Sequence, residues 1–167
     1  MTSKNIAVFF GDETFPKKGR GRSAKEWRKA VNKVATVLNE LNIHYAFLPS
    51  YKGANFIVGQ ILSSLKIPYT LVIPHPSFGS NSTTQSKVML ADLSEKADKT
   101  VVLGEEQSAD SLNYNSDEIT SDFVEYISKH CNSIVIAAKK DNMTEKLEKL
   151  LRKFPEKAFD KIYTMHY

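Results

Sequence analysis

The sequence predicts an α/β fold, a three-layer Rossmann-like domain with a doubly wound, mainly parallel sheet, and three observations point to it. Short apolar runs recur along the chain with amphipathic helical stretches between them, the alternation that builds parallel sheets. Several runs are apolar almost without a break, as in Ile6-Ala7-Val8-Phe9-Phe10 and Ser133-Ile134-Val135-Ile136-Ala137-Ala138, which is how strands covered on both faces read. The longer polar connections follow the strand ends, where folds of this class place their ligands.

The first strand is expected over 6–10, followed by a long loop over 11–22. Ser23 and Glu26 then form an S-x-x-E capping box, and Trp27, Ala30, Val31, Val34, Leu38 and Leu41 recur at helical spacing. A second strand is expected over 45–48. The helix after it, 54–66, turns Ile57, Val58, Ile61, Leu62 and Leu65 inward, and Pro68 stops it before a third strand over 69–74. A loop from His75 to Thr83 leads to a helix over 84–97 with Val88, Met89, Leu90 and Leu93 inward, then to a strand over 100–103. Beyond a polar, acidic loop over 104–114, Asn115 is the expected N-cap of a fourth helix, with Glu118 three residues on and Ile119, Phe123, Tyr126 and Ile127 as its apolar stripe. The strand over 133–138, a last helix over 144–154 carrying Leu147, Leu150 and Leu151, and a strand over 162–165 complete the pattern.

A chain of 167 residues with 41% apolar content fits one domain, 1–167, that buries its core without disulfides or metal. The first apolar run is too short for a secretory segment or a membrane span, so a cytoplasmic location and no membrane partner are expected. Cys131 is the only cysteine; its setting between a helix and a strand reads as a small buried hydrophobe rather than a catalytic thiol. His44, His130 and His166 stand at element ends with no i, i+4 pairing, which argues against zinc. No metal and no cofactor are expected.

Charge is unevenly spread. Residues 17–33 hold Lys17, Lys18, Arg20, Arg22, Lys25, Arg28, Lys29 and Lys33 against Glu26 alone, a net +7 in a chain whose total is +4. One strongly basic loop and helix on an otherwise mildly acidic protein suits an anionic partner; the plainer reading is a solvated helix face.

The candidate site centres on Ser50-Tyr51-Lys52-Gly53-Ala54-Asn55, which joins a strand to a helix. A small-residue turn there lets backbone N–H groups and a helix amino terminus face a phosphate, although Gly53 alone also suits a tight turn. Gly11 ends the first strand, Asp12 and Glu13 follow it, and Arg22 precedes the N-cap Ser23. Arg22 would add a guanidinium pair to a phosphate held by that helix end. Asp12 and Glu13 suit a ribose hydroxyl or a solvated turn. His75, between Pro74 and Pro76, stands at the third strand's end, as a ligand contact, an acid or base, or simply part of a rigid turn. Asn115 suits either a cap or a base contact. There is no G-x-S-x-G elbow, no P-loop and no G-x-G-x-x-G turn.

On these residues the chain resembles the SLOG superfamily, Rossmann-like domains that include the LOG proteins, the DNA-processing protein A core and nucleotide-sensing modules of bacterial defence. The likeness runs over most of residues 5–140: a first strand ending in Gly11 with Arg20 and Arg22 after it, the turn from Ala46 to Asn55, a third strand ending in Pro74, and Asn115 opening a helix that leads to the strand ending in Ala138. It implies a nucleotide or nucleotide-derived phosphate ligand held by Gly11, Asp12, Arg22, Ser50, Lys52, Gly53, Ala54, Asn55, His75 and Asn115, and a homo-oligomer. The P-G-G-x-G-T-x-x-E signature of the LOG phosphoribohydrolases is missing, so binding is the safer inheritance. The chain is also similar, more weakly, to nucleoside 2-deoxyribosyltransferases, which implies an enzyme that breaks an N-glycosidic bond, with Glu118 or Glu13 stabilising the developing oxocarbenium ion and His75 helping the base leave. A nucleic-acid module using residues 17–33 is the third reading.

Overall fold

Neighbouring residues such as Phe47 and Leu48, Leu71 and Val72, and Ile134 and Val135 are all buried, and this requirement for apolar cover on both sides gives the strands their unbroken apolar character. The computed structural model describes residues 5–11, 24–49, 54–73, 84–104, 121–138, 149, 151–156 and 158–166. In chain order the elements are β1 (Asn5–Gly11), α1 (Ala24–Glu40), β2 (Ile43–Pro49), α2 (Ala54–Ser64), β3 (Tyr69–Ile73), α3 (Thr84–Lys96), β4 (Lys99–Val102), α4 (Ser121–His130), β5 (Ser133–Ala138) and β6 (Lys161–His166). The strands form one sheet in the order β4-β3-β2-β1-β5-β6, and every neighbouring pair is parallel. The arrangement is consistent with a Rossmann-like α/β fold.

Strand residues alternate between two hydrophobic clusters, as the two-residue strand period requires. One joins Ala46, Leu48, Tyr69, Leu71 and Val135 to Val34, Val37 and Leu38 of α1, Val58, Ile61 and Leu62 of α2, and Leu93 of α3. The other joins Phe47, Val72, Ile134 and Ile136 to Phe123 and Ile127 of α4, Cys131 and Phe154.

Helix ends follow backbone chemistry. Asn42 and Lys66 adopt φ of 51° and 58°, the left-handed geometry that closes a helix. Past Lys66 the Ile67 amide reaches back five residues to the Leu62 carbonyl, whereas the Leu41 amide, before Asn42, keeps the ordinary helical bond to the Val37 carbonyl. The second helix therefore stops at Ser64, two residues before the sequence-predicted end. Two other expectations need correction. Val88 is 62% exposed, because the inward stripe of α3 runs through Met89, Leu90, Leu93 and Ala97, and Val88 lies outside it. Lys149 and Leu151 are helical, but Arg152 and Lys153 form a turn, so the last helix ends before Phe154, whose ring packs edge-on against Phe159. The segment 115–120, with Asn115, Glu118 and Ile119, lies outside the described residues, as do Leu147 and Leu150.

Candidate functional site at the sheet's carboxyl edge

Because all strands run the same way, the chain leaves their carboxyl ends along one edge. The winding direction reverses between β1 and β5: the chain steps outward through β2, β3 and β4, then returns to the far side of β1. At such a reversal the connections leave neighbouring strands in opposite directions, and a crevice opens between the two carboxyl ends.

β1 ends at Gly11, which stands in register with Ala137 of β5. β2 ends at Pro49 and α2 begins at Ala54 with Asn55 second. The remaining sequence-predicted site residues, Asp12, Glu13, Arg22, Ser50, Lys52, Gly53, His75, Asn115 and Glu118, lie outside the described residues. The first turns of α2 and α3 contain no acidic residue, whereas α4 carries Asp122 in its first turn. A carboxylate at that position offsets the partial positive charge of the helix end, and α2 and α3 have no such carboxylate in their first turns.

The amino edge is held by hydrogen bonds. The Ile6 amide donates to Asn132 Oδ1 at 3.0 Å, the Asn132 amide donates back to the Ile6 carbonyl, and the Asn132 carbonyl accepts from Asp160 and Lys161. One residue thus aligns the starts of β1, β5 and β6. The Tyr45 hydroxyl donates to Asp98 Oδ2 at 3.2 Å, and the Thr70 hydroxyl lies 2.6 Å from it, with Tyr45 left to accept that bond. Beside Tyr45, the rings of Tyr126 and His130 stack with centroids 4.2 Å apart, and His130 Nδ1 donates to the Tyr126 carbonyl at 2.7 Å. None of these roles was foreseen; the Asn-Ser pair before the fifth apolar run was the only local hint.

Burial is the main reason that the hydroxyl pKa values of Tyr45, Tyr69 and Tyr126 rise above their ordinary 10.0, and it pushes the Cys131 thiol well above 9.0. The folded chain holds these protons to higher pH than the unfolded chain does, so their contribution to stability is complete below the unfolded values and is lost as pH rises through the folded ones. The urea midpoint is expected to fall between about pH 8 and about pH 10.5. A thiol reagent should meanwhile leave Cys131 untouched in the native protein at about pH 8; rapid reaction without unfolding would contradict its burial.

An open groove of about 630 Å³ runs along α4, lined by Ser121, Val124, Glu125, Ser128, Lys129, Lys153 and Pro155. Among the described residues that line it, none belongs to β1 or β5. Among the described residues no group of three or more His, Cys, Asp or Glu side chains could hold a metal ion, and no helix is long and apolar enough to cross a membrane. A scan against protein-family models finds no match for the chain, and a search of curated proteins finds none either.

Proposed function

We propose that this protein is a SLOG-type, three-layer doubly wound domain that binds a nucleotide or nucleotide-derived phosphate ligand in the crevice between β1 and β5. The reversal of strand order in an all-parallel sheet carries this reading. Phosphate sits on the turn 50–53 and the amino end of α2, with Arg22 and Lys52 supplying positive charge. Asp12, His75 and Asn115 bracket ribose and base. Gly11 supports the reading, since a strand that ends in glycine lets backbone approach a ligand closely, and so does the acid-free first turn of α2.

Mononucleotides are expected to raise the thermal midpoint, as any ligand that binds only the folded state does. Gly53→Val, which crowds the turn with a branched side chain, should weaken that binding by about tenfold or more, about 1.4 kcal/mol, while the ligand-free midpoint changes less. Titration calorimetry on both proteins checks this; unchanged affinity in the variant would place the ligand elsewhere. Base release during long incubation, abolished by Glu118→Gln, would instead identify a glycosidic-bond enzyme.

A further inference from the structure

The solvent face of α1 gathers three exposed cations, Lys25, Arg28 and Lys29, into its first two turns. On α3, by contrast, Lys96 bonds Asp92 at 3.1 Å, and on α4 Lys129 bonds Glu125 at 2.8 Å, while Lys87 of α3 stands as a single exposed cation in its own first turns. Among the described side chains of α1 the exposed ones are Lys25, Arg28, Lys29, Asn32, Thr36, Asn39 and Glu40, which fall within roughly one third of the helix circumference at ~100° per residue. Lys25 and Lys29 stand at i, i+4, where like charges repel, and no carboxylate pairs with either among the described residues. They also occupy the first two turns, where the helix end is itself partly positive. In the free protein this arrangement opposes helix stability, and a bound anion would reverse the sign of each contribution.

We infer that the Lys25–Arg28–Lys29 face of α1 docks the phosphate backbone of duplex nucleic acid, independently of base sequence. A polyanion fits because the cations are spread along a rigid helix instead of converging on a point, and the polar groups that continue the stripe, Asn32, Thr36 and Asn39, can donate to phosphate or sugar oxygens. A membrane surface fits poorly. Its docking helices offer apolar side chains beside their cations, whereas Val34, Val37 and Leu38 of α1 are spent in the core. Single strands fit less well than duplex because no aromatic side chain stands among these exposed positions to stack on a base. This surface does not depend on the nucleotide site proposed above.

The test is fluorescence anisotropy with a mixed-sequence 20-base-pair duplex DNA over a salt series. Three cations on phosphates predict a slope of log affinity against log salt of about −2.7, a loss of about 40-fold between 50 and 200 mM salt. The double substitution Lys25→Gln, Lys29→Gln should flatten the slope by about 1.8, and because it removes a like-charge pair from a positive helix end while glutamine suits helices, the circular dichroism melt should hold or rise slightly. No binding at 50 mM salt, a variant slope equal to the wild type, tighter binding to single strands of the same length, or tighter binding to vesicles with 30% anionic lipid would each overturn the proposal.

Discussion

Replacing Phe123 by alanine is expected to lower the free energy of unfolding by about 3–5 kcal/mol, the range for losing a buried phenylalanine. The side chain is 0% exposed, as is Ile127 one turn later, and together they are the fully buried residues of the ten-residue α4. They pack with Phe47, Val72, Ile134 and Ile136, so truncation leaves a hole under β2, β3 and β5 at once. Domains of this size have only about 5–15 kcal/mol to lose. Urea unfolding followed by circular dichroism gives the value directly. Glu125→Ala on the exposed side of the same helix is the comparison; it deletes only a surface ion pair and should cost far less. Equal losses in the two variants would show that α4 is not anchored through Phe123.

Gly59→Val should cost about 1–3 kcal/mol by overfilling the contact between α2 and α3. A β-carbon built on Gly59 would overlap a methyl of Leu93 and come within 3.3 Å of a methyl of Leu48. Leu93 is 3% exposed and Leu48 fully buried, so neither can swing into solvent. Removing glycine from a helix interior would otherwise stabilise it by several tenths of a kcal/mol, which makes the direction of the change informative. Leu93→Ala alone should destabilise by leaving a cavity, and the pair Gly59→Val, Leu93→Ala should cost at least about 0.5 kcal/mol less than the sum of the single changes. Strict additivity would refute a direct contact.

The strands were legible because burial on both faces writes itself into sequence as unbroken apolar runs; β5 matches its expected bounds, and the others differ by a residue or two at their ends. The core stripes of α1 and α2 were legible at Val34, Leu38, Val58, Ile61 and Leu62 for the same reason at helical period. Val88 was misread because α3 has a weakly segregated sequence, in which the neighbours Val88, Met89 and Leu90 offer competing stripes and only tertiary contact chooses between them. The early end of α2 was hidden because Lys66 is not a residue that advertises a left-handed conformation. Strand order had no local signal at all, since which strands pair is decided by contacts far apart in sequence. Of the candidate site, the common direction of the strands and the positions of Gly11, Ala54 and Asn55 at its edge follow from pattern. The polar contacts of Asn132 and Tyr45 do not, because single polar residues beside apolar runs carry no periodicity.

A lone cysteine sealed between α4 and β5 has a practical corollary. Any second cysteine placed by mutagenesis in an exposed position at the carboxyl rim of the sheet would be the sole thiol open to a maleimide dye or a nitroxide. Fluorescence or electron-spin readouts of ligand arrival at that rim could therefore be taken on the otherwise unaltered chain, with no background from Cys131.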